Sequence, residues 1–143
     1  MGENVLVNNL IKSNFRPPYR KNSRIKYALE VQSIYNRPDI VYFEYTKKDG
    51  FNFITAVEAK VKNWQVALKQ AYRNKLFADR VYVAMPKKYS RSAISNIKEF
   101  KNNSVGLIIV EEKKYKIYYH PPKNKPMSQK HVLKVQEYLA STV

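Results

Sequence analysis

Apolar residues near the N-terminus recur at helical spacing. Val7, Leu10 and Ile11 stand at i, i+3 and i+4, which predicts a helix over residues 4–14. Glu3 sits at its start, where a negative charge suits the helix dipole. The period then shortens to two. Ile25, Tyr27, Leu29 and Val31 occupy alternate positions over residues 24–35 and predict a strand with those four on one face. Asn36-Arg37-Pro38-Asp39 interrupts it, and the β-branched and aromatic run 40–45 is a second strand. Lys47-Lys48-Asp49-Gly50 reads as a hairpin turn, because Asp-Gly supplies backbone with φ > 0. Residues 51–61 form the third strand, and three strands on short turns make an antiparallel meander. Trp64, Ala67, Leu68, Ala71 and Tyr72 give the cleanest helical stripe in the chain, with Asn63 as its N-cap. A short strand at 81–85 follows, then a helix at 90–101 with Ile94 and Ile97 inward. Strands at 105–110 and 115–119 and an amphipathic helix at 128–139, carrying Val132, Val135 and Leu139, complete the order α-β-β-β-α-β-α-β-β-α. The expected fold class is α/β, with a mixed central sheet flanked by helices on both faces.

Length and composition narrow the function. The chain has 143 residues, no internal repeat and no low-complexity stretch, which suits a single domain over 1–143. It has no cysteine, so disulfides, thiolate metal sites and cysteine nucleophiles are excluded. His120 and His131 are too few for a histidine metal cluster and read as surface residues. No apolar run reaches the roughly 20 residues of a membrane span, and no signal-peptide pattern opens the chain, so a soluble cytoplasmic protein is expected. Lys and Arg number 27 against 11 Asp and Glu, a net charge of +16. Such charge favours a polyanionic partner, most often nucleic acid. Arg16, Arg20, Lys21, Arg24 and Lys26 cluster in sequence as candidate nucleic-acid contacts. Trp64 reads as core, and Tyr115, Tyr118 and Tyr119 as strand residues packed on helices. No P-loop or Ser-His-Asp set is present.

The candidate chemistry lies on the hairpin. Glu58 and Lys60 stand at i, i+2 on one face of an apolar strand, and buried charge is costly unless paired or bound to metal. Counting out from the Asp49-Gly50 turn brings Asp39, at the start of the second strand, beside the end of the third. Two carboxylates with an adjacent lysine suit a hard divalent cation, since magnesium is held by one or two carboxylates, waters and phosphate oxygens. Taken singly, Asp39 after proline is a turn residue and Glu58 with Lys60 a same-face ion pair; their conjunction carries the chemistry.

Pro38-Asp39, eighteen residues, then Glu58-Ala59-Lys60 resembles the PD-(D/E)xK nuclease superfamily, and the surrounding αβββαβ order resembles its restriction-endonuclease-like core. The resemblance covers about residues 1–86, with 87–143 as a C-terminal β/α extension. It implies a magnesium-dependent DNA endonuclease, with manganese able to substitute. Asp39 and Glu58 would hold the metal, joined by the backbone carbonyl of Ala59, and Lys60 would assist attack by water. Gln70, on the following helix, stands where a supporting glutamine occurs in many members. Glu3 stands on the first helix, where some members use an acid. A homodimer is expected, with a Holliday-junction resolvase as the nearest alternative enzyme. A non-catalytic basic nucleic-acid-binding protein is the alternative from another class, and an adaptor for an acidic protein surface is a third.

Overall fold

The computed structural model describes residues 2–18 and 24–142. Six strands form one sheet in sequence order: β1 (Lys26–Leu29), β2 (Ile40–Thr46), β3 (Gly50–Ala59), β4 (Arg80–Pro86), β5 (Gly106–Glu111) and β6 (Lys114–Tyr119). The β1-β2-β3 meander is antiparallel, β3-β4 and β4-β5 are parallel, and β6 returns antiparallel to β5. The parallel steps need crossovers. These are α2 (Trp64–Arg73) and the pair α3 (Arg91–Ser95) and α4 (Ile97–Asn102). Helix α1 (Glu3–Lys12) precedes the sheet and α5 (Gln129–Ala140) follows it.

Two apolar layers sandwich the sheet. Leu6, Val7 and Leu10 of α1 pack on Ile40, Tyr42, Val57, Ala59, Tyr82 and Ile108. Phe15 completes that layer, its ring edge-on to Tyr42, Tyr82 and Tyr115 at 5.5, 5.6 and 5.4 Å. On the other face Ala67, Leu68 and Ala71 of α2, Phe100 of α4, and Val135 and Leu139 of α5 cover Ala56, Val81, Val83 and Leu107. Strands covered on both faces must be apolar throughout, which is why Val81–Met85 and Leu107–Val110 show no polar alternation. Residues 87–142 are continuous with this architecture, since β5 is an interior strand and α5 joins the same apolar layer as α2.

The observed elements depart from the sequence expectations in three places. The first strand is only Lys26–Leu29: Leu29 pairs with Ile40, the first residue of β2, and the ladder ends there. Glu30 turns the chain with φ 49°. Lys26, Tyr27 and Leu29 of β1 are exposed and Ala28 is buried, so the alternating apolar residues do not form the covered face of the strand. As the sheet edge, β1 extends past the helix that would have covered Tyr27 and Leu29. The expected helix over 90–101 is split at Asn96 (φ −109°, ψ 28°), whose side chain donates back to the Ser92 carbonyl at 2.8 Å. An Asn that bonds its own helix backbone in this way competes with the helical ladder. His131 is buried rather than on the surface, its Nδ1 2.8 Å from the Ser128 hydroxyl that caps α5.

The hairpin turn is as expected. Gly50 has φ 70° and pairs with Thr46, leaving Lys47–Asp49 as the loop. This turn sets the β2-β3 register, and a bulge between Tyr42 and Glu44, where Phe53 has φ 58°, shifts it by one residue before the hairpin's open end.

Candidate functional site

Ile40 pairs with Val57, so Asp39, one residue before β2, lies opposite Glu58 near the end of β3. The Asp39 carboxylate accepts a hydrogen bond from the Ala59 N–H at 2.8 Å. The Asp39 carbonyl accepts from Glu30 N–H at 3.0 Å, which ties the turn after β1 to the same point. Side chains alternate along β3: Val57 and Ala59 belong to the α1 layer and Ala56 to the α2 layer, so Glu58 faces α2. There Oε1 of Glu58 accepts from the Asn74 side-chain amide at 2.9 Å. Asn74 closes the C-terminus of α2 and is fully buried, and its own Oδ1 has no hydrogen-bond partner among the described residues.

The carboxyl groups of Asp39 and Glu58 lie within hydrogen-bonding reach of each other. Burial is the main force on Glu58 and pushes its carboxyl up to about 8. The Asn74 hydrogen bond and the Lys60 charge act against that rise, while neighbouring Asp39 adds to it. Asp39 is raised as well, first by burial, with the charges of Glu3 and Glu30 contributing and the Ala59 N–H and Glu58 opposing. Without a cation, the pair therefore retains a proton near neutral pH.

Lys60 lies just past β3, its N–H bonded to the Ala84 carbonyl at 3.0 Å. Its Nζ is 4.0 Å from the Glu3 carboxylate, and both side chains are partly open to solvent at 28% and 46%. The first turn of α1 thus approaches the hairpin end, bringing Glu3, Asp39, Glu58 and Lys60 into one neighbourhood. It sits at the C-terminal end of the parallel strands, the end at which open α/β sheets bind ligands.

Gln70 is half-buried one helical turn before Asn74, on the same face of α2; among the described residues it is Asn74 that donates to Glu58. Asn74 follows the apolar stripe and belongs to no motif, so the sequence alone does not mark it. Its i+4 spacing from Gln70 was the available signal. Of the basic cluster, Arg16, Arg24 and Lys26 are exposed, and Arg20 and Lys21 lie outside the described residues. The Arg16 guanidinium donates to the adjacent Phe15 carbonyl at 3.2 Å.

The site's donors are hard oxygens. Each carboxylate has one oxygen engaged by a protein N–H, and the two carboxyl groups also lie within hydrogen-bonding reach of each other, so a cation would have to displace the proton they hold. In extended backbone the N–H and C=O of one residue face the same neighbour, so the Ala59 carbonyl points to the Asp39 side. Among the described residues no three His, Cys, Asp or Glu side chains are grouped closely enough to hold a metal by themselves. Two carboxylates and a carbonyl fit a magnesium ion that completes its shell with water and phosphate oxygens.

No protein-family model matches the sequence, and no curated protein is significantly similar to it. Among solved structures, the SPO1766 protein of unknown function from Silicibacter pomeroyi has a similar fold, with a TM-score of 0.55 at 17% identity over 82% of this chain and 74% of that one. At that identity the likeness concerns the fold alone. The class shown is an α/β protein with a six-stranded mixed sheet between helices. No helix is long and apolar enough to cross a membrane among the described residues.

Proposed function

We propose that this chain is a magnesium-dependent nuclease that hydrolyses DNA phosphodiester bonds, with a restriction-endonuclease-like arrangement around the β2-β3 hairpin. The observation that carries this reading is the meeting of Asp39 and Glu58 at the open end of the hairpin, beside Lys60. Asp39, Glu58 and the Ala59 carbonyl are the residues to hold the metal, and manganese is expected to substitute. When bound, the ion supplies Lewis-acid polarisation of the phosphate and lowers the pKa of a water.

The chain's own residues do the rest. Asn74 holds the Glu58 carboxylate in one orientation through its amide. The Ala59 N–H does the same for Asp39. Lys60 places a positive charge where negative charge grows on the phosphoryl oxygens. Glu3 tethers that ammonium from α1. Gln70, one turn from Asn74, is the further candidate for supporting the site. Arg16, Arg24 and Lys26 offer exposed charge for the DNA backbone, which positions the substrate without reading its sequence. A homodimer would present two such sites to two strands, the arrangement a Holliday-junction resolvase needs.

A second reading is a non-catalytic nucleic-acid-binding protein. The buried, proton-sharing Asp39–Glu58 pair favours it, since the pair satisfies itself without a metal. Incubation with linear duplex, single-stranded and four-way-junction DNA in magnesium, manganese or EDTA separates the two. Metal-dependent cutting supports the nuclease, and the preferred substrate identifies its subtype. Binding without cutting in any metal supports the second reading.

A further inference from the structure

Beyond the carboxylate site, the same end of the sheet carries a groove of about 440 Å³ between α3 and β6. Ile94 and Ile109 contribute apolar lining, and Tyr118 lines the β6 side. Its charge is one-sided: Lys87, Arg91, Lys114 and Lys116 line it against the single carboxylate of Glu111. Glu111 is itself paired with Lys87 at 3.4 Å, so the remaining cations keep their charge for a ligand. Lys116 Nζ sits 4.9 Å from the centre of the Tyr118 ring, which places a cation and an aromatic face together.

The groove is connected to the candidate site. Lys62, two residues past Lys60, lies over the Tyr89 ring at 4.6 Å, and Tyr89 belongs to the 3-10 turn Lys87–Tyr89 that leads into the groove. The path from Glu58 on β3 to Ile109 on β5 and Lys116 on β6 crosses two to three strand spacings, roughly 10–15 Å. Cations therefore run along one edge from the carboxylates to a concavity with an aromatic wall. Phosphates need the cations and a base needs the ring, a combination characteristic of single-strand binding.

We propose that the α3–β6 groove is a second nucleic-acid subsite, which takes one base and its flanking phosphates from a single strand running on from the carboxylate site. The proposal deepens the function given above, because it takes DNA as the partner, but it does not require cleavage. A second copy of the chain pairing along β6 is disfavoured, because the exposed Lys114 and Lys116 stud this edge strand.

The test is binding of a short fluorescein-labelled oligothymidylate, followed by anisotropy across a salt series in EDTA. EDTA keeps failure of this subsite distinct from failure of the nuclease reading. Single-stranded contacts contribute about 0.7 each to the slope of log affinity against log salt, so Arg91→Gln/Lys116→Gln is expected to lower that slope by about 1.4. The charge-matched Lys130→Gln/Lys134→Gln protein, altered on an exposed part of α5 that does not line the groove, is expected to keep the parent slope. A 5-iodouracil oligonucleotide should photo-cross-link to Tyr118. An unchanged slope in the groove variant, an equal fall in both variants, or cross-links confined to other residues would overturn the proposal. So would polyglutamate binding that depends on Arg91 and Lys116 while oligothymidylate binding does not.

Discussion

At Glu58, burial and the neighbouring Asp39 carboxylate act in the same direction. The folded protein holds this carboxyl near 8 against an ordinary 4.5, so between those values it keeps a proton that the unfolded chain has released. Stability then falls as pH rises through that window, since the native state binds the extra proton. Asp39 is raised too and pulls the same way. The melting temperature in EDTA is expected to drop between about pH 5 and pH 8.5. Glu58→Gln, which cannot lose a proton, is expected to flatten that drop. Magnesium, which needs the deprotonated pair, is expected to raise the parent's melting temperature most at the alkaline end and the Gln variant's little. Asn74→Ala removes the amide that fixes Glu58 and leaves a buried carboxyl short of a donor. The expected loss is about 1–3 kcal/mol by urea unfolding.

At the scale of elements, close packing decides two positions. Gly106 begins β5 where a Cβ would lie 2.3 Å from the Tyr82 ring and 2.8 Å from the Pro121 ring. Tyr82 is fully buried and its hydroxyl is 2.8 Å from His120 Nδ1, so the ring cannot easily yield. Gly106→Ala is expected to cost about 1–3 kcal/mol in overpacking, read as a lowered urea midpoint. Asn63 combines a cap with left-handed backbone at φ 64°, its side chain accepting from Val66 N–H at 3.4 Å. Alanine there loses the cap and keeps the strain. Asn63→Ala is expected to cost more than Asn63→Gly, by about 1 kcal/mol. The sequence revealed the elements with strong local periods. The α2 stripe, its Asn63 cap and the Asp49-Gly50 turn each rest on neighbours in the chain. The inward face of β1 did not show, because it depends on where α1 ends above a sheet edge. Nor did the break at Asn96, where a side chain competes with the helix it belongs to. Asp39 and Glu58 were legible to within a residue because a hairpin converts sequence distance from the turn into spatial register; the bulge between Tyr42 and Glu44, which brings them directly opposite, was not. Asn74 was not, because its place against Glu58 is set by how α2 packs across the strand.

For the whole molecule, the proposed binding to DNA would be strongly salt-dependent at a charge of +16, with or without turnover. Affinity for duplex DNA is expected to fall steeply between low and physiological salt, and a flat response in a salt titration would remove DNA as the polyanion. Charge therefore bears on the proposed partner, and the proposed catalysis rests on the hairpin end. The most direct measurement is cleavage by purified parent, Glu58→Ala and Lys60→Ala proteins on the preferred DNA in magnesium, with binding measured in parallel in EDTA. The nuclease account predicts metal-dependent cutting by the parent and a loss of about 10²–10³-fold or more in each variant, with binding retained. Cutting that persists undiminished in both variants, or a parent that binds DNA and cuts none of the substrates in any metal, would contradict it.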